Sequence, residues 1–151
     1  MSENSAQSIP EKLTLRSRLE DLACVFPWVE SLAAAYAIPA GKLFAMNLCL
    51  EEVLSNIVRH GYRCDPDQTM TVEFARNGDR EFSFIVEDSA PHFRPFDPAV
   101  PLEDVAPAAL EDIVPGGIGI RLLRKFADSV KWEPLEPGNR LTIGFVVPES
   151  T

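Results

Sequence analysis

An α/β fold, an α+β two-layer sandwich of one mixed, largely antiparallel sheet with helices on one face, follows from three features of the sequence. Apolar and polar residues alternate in two runs on either side of Asn77-Gly78-Asp79, which is a hairpin pattern. Leu43, Met46, Leu50, Leu54 and Ile57 recur at spacings of three and four, which makes one apolar helix face. Strands follow helices in mixed order along 151 residues, enough for one sizeable core and too few for two.

The elements are expected in this order. Residues 1–10 are polar and form a loose tail, so residues 1–12 are taken as a flexible segment and residues 13–151 as a single domain. Leu13 and Leu15 alternate with Thr14 and Arg16 and mark a short first strand. A helix spans about residues 20–36, with Pro27 as a kink or early break and Ile38-Pro39 as its end. The second helix, over residues 40–62, carries the apolar stripe and stops at Gly61, Asp65 and Pro66. In the hairpin, Met70, Val72 and Phe74 alternate with Thr71 and Glu73, and Phe82, Phe84 and Val86 with Ser83 and Glu87.

A Pro- and Ala-rich stretch over residues 90–115 follows, and a structureless loop of that length is usually functional or mobile. Gly116-Gly117-Ile118-Gly119 opens a third helix that runs to about residue 128. Strands near residues 130–135 and 141–147 close the chain, joined by Glu136-Pro137-Gly138-Asn139.

Composition narrows the function. The net charge of −9 repels phosphate backbones, so direct binding to DNA or RNA is disfavoured, whereas a nucleotide needs only a local site. Cys24, Cys49 and Cys64 are an odd number without a CxxC pair, which argues against a zinc site or disulfide framework and fits a reducing compartment. The N-terminal residues carry no apolar core of a signal peptide. The most apolar stretches, such as residues 32–38, fall far short of the roughly 18 residues a membrane span needs. A cytoplasmic protein is expected.

Three places carry chemistry. On the second helix Glu52, Asn56 and His60 are spaced by four, with Arg59 beside them, which stacks a carboxylate, an amide and an imidazole on one face. A carboxylate accepts a proton and an amide oxygen ligates Mg²⁺; the same face also reads as the solvated side of an amphipathic helix. Asp88 ends the second hairpin strand at a sheet edge next to a loop, where a carboxylate accepts a hydrogen bond from an exocyclic amine or simply caps a turn. The glycines from Gly116 to Gly119 precede a helix, and such a turn lets backbone N–H groups approach phosphate or serves plain loop geometry. Neither a Rossmann fingerprint nor a GxxxxGK[ST] loop is present.

In sequence order, Glu52-x-x-x-Asn56-x-x-x-His60-x-Tyr62, Asp88-x-Ala90-x-x-Phe93-x-Pro95 and Gly116-Gly117-x-Gly119-Ile120 resemble the nucleotide-binding domain of bacterial anti-sigma-factor serine kinases. These belong to the GHKL ATPase superfamily, with its Bergerat ATP-binding fold. The resemblance runs from about Leu13 to Val147 and includes the closing run Asn139-Arg140-Leu141-Thr142. It implies ATP and Mg²⁺ as cofactors, Glu52 as the general base and Asn56 as the Mg²⁺ ligand. It implies that Asp88 meets the adenine amino group, supported by Thr142, and that Gly117 and Gly119 line the phosphates. The cofactor-binding set it implies is Asn56, Asp88, Ala90, Gly117, Gly119, Ile120 and Thr142. The stretch before Gly116 would be the ATP lid, with residues 98–115 closing over nucleotide.

Ala90 stands where the family carries glycine, and alanine there costs about 1 kcal/mol if the backbone is left-handed. Arg94 follows Phe93 where many relatives have an acidic or amide residue. The resemblance further implies a serine/threonine protein kinase whose acceptor is a STAS-type anti-anti-sigma protein and whose second partner is a sigma factor, and it leaves a homodimer open. A nucleotide-sensing binding module without kinase activity is the other reading. A phosphorelay histidine kinase is not supported, because no phosphoacceptor-His helical hairpin fits in 151 residues.

Overall fold

A computed structural model describes residues 9–92 and 123–148. The stretch from residue 93 to residue 122, with the expected lid, Gly116 to Ile120 and the start of the third helix, lies outside the described residues.

Strand β1 (Lys12–Arg16) begins one residue before the expected boundary and turns Leu15 into the core at 3% exposure. The chain is already tied down ahead of it: the Trp28 indole N–H donates to Pro10 O at 2.7 Å and the Phe74 N–H to Glu11 O at 2.7 Å. A 3₁₀ segment (Leu19–Cys24) leads into helix α1 (Val25–Ala35). Pro27 does not break α1, because it falls in the first turn, where a missing N–H leaves no intrahelical bond unmade. Helix α1 ends with Ala37 in the left-handed region (φ 56°), and the Ile38 N–H reaches back to Ala33 O at 2.9 Å.

Helix α2 (Ala40–Asn56) buries Met46, Leu50 and Leu54 of the expected stripe, with Ala45, Cys49 and Val53 beside them. At Ile57 the helix widens into a π turn (Ile57–Gly61), closed by the Tyr62 N–H on Ile57 O at 2.7 Å. The wider turn keeps Ile57 and Val58 buried while Arg59 and His60 stay exposed.

The hairpin strands are β2 (Thr69–Asn77) and β3 (Glu81–Asp88), followed later by β4 (Ser129–Pro134) and β5 (Asn139–Val146). Among the described residues the sheet has five strands in the order β1-β2-β3-β5-β4, and every pairing is antiparallel. Its inward positions, Leu15, Met70, Val72, Phe74, Phe82, Phe84, Val86, Leu141, Ile143 and Phe145, share one core with α1 and α2. Trp28 meets Phe84 edge-on at 5.8 Å between ring centroids. The opposite face carries Thr71, Glu73, Ile85, Glu87, Arg140 and Thr142, all half-buried or exposed. Only a short helical turn, residues 123–126, is described from the third helix. Among the described residues no helix is long and apolar enough to cross a membrane.

Candidate functional site

Asp88 is the last residue of β3, the middle strand of the sheet, so it lies at a strand end in the centre and not at a lateral edge. Period-two alternation from Phe82, Phe84 and Val86 points it to the helix side, where it is 6% exposed. Its Oδ1 accepts the Ala90 N–H at 2.8 Å and the Asn139 Nδ2–H at 2.9 Å. Both bonds end on Oδ1, so Oδ2 remains for a ligand donor. Burial raises the Asp88 carboxyl above its ordinary range, opposed by the Asn139 amide, the Ala90 N–H and the charge of His92.

Thr142 is not brought to this carboxylate. It pairs with Ile85, three positions before Asp88, and its parity on β5 sends it to the opposite face from Leu141 and Ile143. The residue opposite Asp88 in the register is Asn139, 1% exposed. Its Oδ1 accepts the Trp132 indole N–H at 2.8 Å. Its Nδ2 also faces Pro91 O at 3.1 Å and Ala90 O at 3.3 Å. Gly138 comes just before it with φ 114°, and a Cβ there would stand 1.8 Å from Asp88 O.

The helix side of the site joins the sheet side at one place. A Cβ on Gly61 would lie 3.1 Å from the Ala90 Cβ. Ala90 is 2% exposed and keeps an ordinary negative φ, so the exchange from glycine costs no backbone strain here. Next to Gly61, Tyr62 donates its hydroxyl to Thr69 O at 2.8 Å and accepts the Ser89 N–H, which ties the helix end to both strand ends. Glu52 and Asn56 are half-buried one turn apart on the last turns of α2, and His60 is exposed on the π turn. Burial, with the Glu52 charge nearby, pushes the buried Cys49 thiol up to about 12, so it is a packing residue.

Asn56 presents a single amide oxygen, and among the described residues no group of three His, Cys, Asp or Glu side chains could hold a metal. That donor set suits a Mg²⁺ ion arriving with phosphate and water oxygens rather than one caged by protein. Gly117, Gly119 and Ile120 lie outside the described residues.

Residues 15–145 match the histidine kinase-like ATPase domain family. The chain belongs to that family. This ATPase domain is 30% identical over 125 residues to the serine/threonine-protein kinase BtrW of Bordetella bronchiseptica, covering 82% of this chain and 84% of BtrW. Its fold matches part of a chain in the crystal structure of the RsbU and RsbW domains of Rv1364c from Mycobacterium tuberculosis (TM-score 0.64, 14% identity), covering 94% of this chain and 34% of that one. The ATPase domain thus spans about a third of that chain. It also matches a chain of the SiaB–SiaC complex from Pseudomonas aeruginosa (TM-score 0.60, 13% identity), covering 97% of this chain and 96% of that one. The expected α/β GHKL fold and the resemblance to the anti-sigma kinases stand on these matches, and membership of the family implies use of ATP.

Proposed function

We propose that this ATPase domain is a serine/threonine protein kinase that phosphorylates a STAS-type anti-anti-sigma protein and, in its other state, holds a sigma factor. Residues 13–151 act as one ATP-binding domain in the cytoplasm, where a sigma factor works, and a homodimer is the assembly proposed. One observation carries the nucleotide part: Asp88 is a nearly buried carboxylate whose two hydrogen bonds both end on Oδ1. The sequence likeness to a protein kinase supports the transfer part.

In this reading Asp88 Oδ2 accepts the exocyclic amine of adenine. The Asn56 amide oxygen holds Mg²⁺, which when bound offsets the negative charge of the phosphates. Backbone N–H groups at Gly117, Gly119 and Ile120 bind the phosphate end. The Glu52 carboxylate takes the proton of the incoming serine or threonine hydroxyl. Ala90 packs under the base site against Gly61.

The test is transfer of labelled γ-phosphate from ATP to a purified STAS protein encoded beside this chain. Wild type should label the STAS protein, and Glu52→Gln should bind ATP nearly as well and label nothing, because the change removes only the basic oxygen. ATP binding by wild type with no transfer would favour a nucleotide-sensing module instead.

A further inference from the structure

Asn139 has a side chain with one donor end and one acceptor end, and nothing intrinsic to an amide decides which end faces Asp88. Here the neighbours decide it. The Trp132 indole is donor-only and stands 2.8 Å from Asn139 Oδ1, so the oxygen must turn to Trp132. The NH₂ end then faces the acceptors Asp88 Oδ1, Pro91 O and Ala90 O. Asn139 is 1% exposed and Trp132 9%, so solvent does not compete for these bonds. Among the described residues, the Asp88 side chain accepts from the Asn139 amide and from the Ala90 N–H, both at Oδ1.

An ionised carboxylate satisfied in this way offers only acceptor capacity through Oδ2. Towards a purine it attracts an amine at position 6 and repels a carbonyl there. We propose that Asn139, locked by Trp132, is the positioning residue that holds Asp88 as an acceptor-only carboxylate and so selects a 6-amino purine over a 6-oxo purine. The inference rests on the nucleotide reading above and assigns to Asn139 the supporting part that the sequence suggested for Thr142.

The other titratable groups at this place act in known directions. The His92 charge favours the ionised carboxylate. Tyr62 is held neutral by burial and by the Asp88 charge, and it bonds Ser89 rather than Asp88. Glu87 and Arg140 pair with each other at 2.7 Å, and their parity places them on the opposite sheet face. Removing the Asn139 donor therefore leaves burial less opposed at Asp88, and its protonation midpoint moves up.

The experiment uses the full chain in wild-type, Asn139→Ala and Trp132→Phe forms. Calorimetry measures binding of ATP and of inosine triphosphate, which differs at the 6 position, and carbon NMR follows the Asp88 carboxyl against pH without nucleotide. Asn139→Ala should lower ATP affinity about tenfold or more, as expected for a hydrogen bond to a charged group. It should shrink the preference for ATP over inosine triphosphate and raise the Asp88 midpoint. Trp132→Phe, which frees the amide to turn, should move all three the same way by less. Folded Asn139→Ala with an unchanged midpoint overturns the positioning role, and equal losses for both nucleotides overturn the selectivity. Wild type binding neither nucleotide defeats the kinase reading and the selectivity with it, whereas the carboxyl titration judges the positioning role by itself.

Discussion

Gly61 and Ala90 meet so closely that a Cβ on Gly61 would stand 3.1 Å from the Ala90 Cβ. The contact joins the end of the Glu52–Asn56 helix to the loop after Asp88, so the two halves of the site are set against each other by a pair with room for one methyl group. Gly61→Ala gains helix propensity and loses space, two effects of similar size. The double-mutant cycle isolates the spatial part. In urea unfolding, Gly61→Ala should be better tolerated in the Ala90→Gly background than in wild type by about 1 kcal/mol. Additive effects would show that the two residues do not press on each other.

Asp88 should trade stability for binding. Its native carboxyl is raised by burial, so its contribution to stability is fully present below the unfolded value of 3.8 and is lost as pH rises through the native value. Asp88→Asn removes that loss, and its amide oxygen can still accept from Asn139 and Ala90. The variant should therefore be at least as stable as wild type at pH 7, and this relative advantage should shrink on acidification as the wild-type carboxyl takes up its proton. Urea unfolding across that range measures it. A large loss of stability at pH 7 would mean that the charge supports the fold.

Gly138 should tolerate no side chain. At φ 114° with a Cβ position 1.8 Å from Asp88 O, an alanine meets backbone strain and a clash with a carbonyl in the central strand. Gly138→Ala should cost roughly 3 kcal/mol or more in urea unfolding, the size reserved for a strained, crowded backbone position. A cost below 1 kcal/mol would show that the turn can move away from β3.

Much of this architecture is legible in the residues. Alternation marked Met70, Val72 and Phe74 and Phe82, Phe84 and Val86 as core-facing, and they are buried, with Val72 opposite Val86 and Phe74 opposite Phe84; the stripe from Met46 to Ile57 is buried as its spacing requires. Asp88 was legible as the end of an apolar strand beside a loop, while its place in the middle of the sheet needed the strand order. The same parity, applied to Leu141, Ile143 and Phe145, turns Asn139 inward and Thr142 outward. Family motif carried more weight than alternation there, and Thr142 was expected at Asp88. Other features had no local signal. The π turn after Asn56 answers the packing of Ile57 and Val58, and the Gly61–Ala90 contact joins residues 29 positions apart. The role of Trp132 also depends on a partner seven residues away across a turn.

The central claim is that ATP binds at Asp88 on this domain, and thermal unfolding with and without millimolar Mg²⁺–ATP tests it most directly. Ligand binding to the native state alone adds RT ln(1 + [L]/Kd) to stability. Wild type should melt higher with Mg²⁺–ATP, and Asp88→Asn should lose most of that rise, because its amide presents a weaker acceptor and adds a donor facing the adenine amine. No rise in wild type, or an equal rise in Asp88→Asn, would contradict the account.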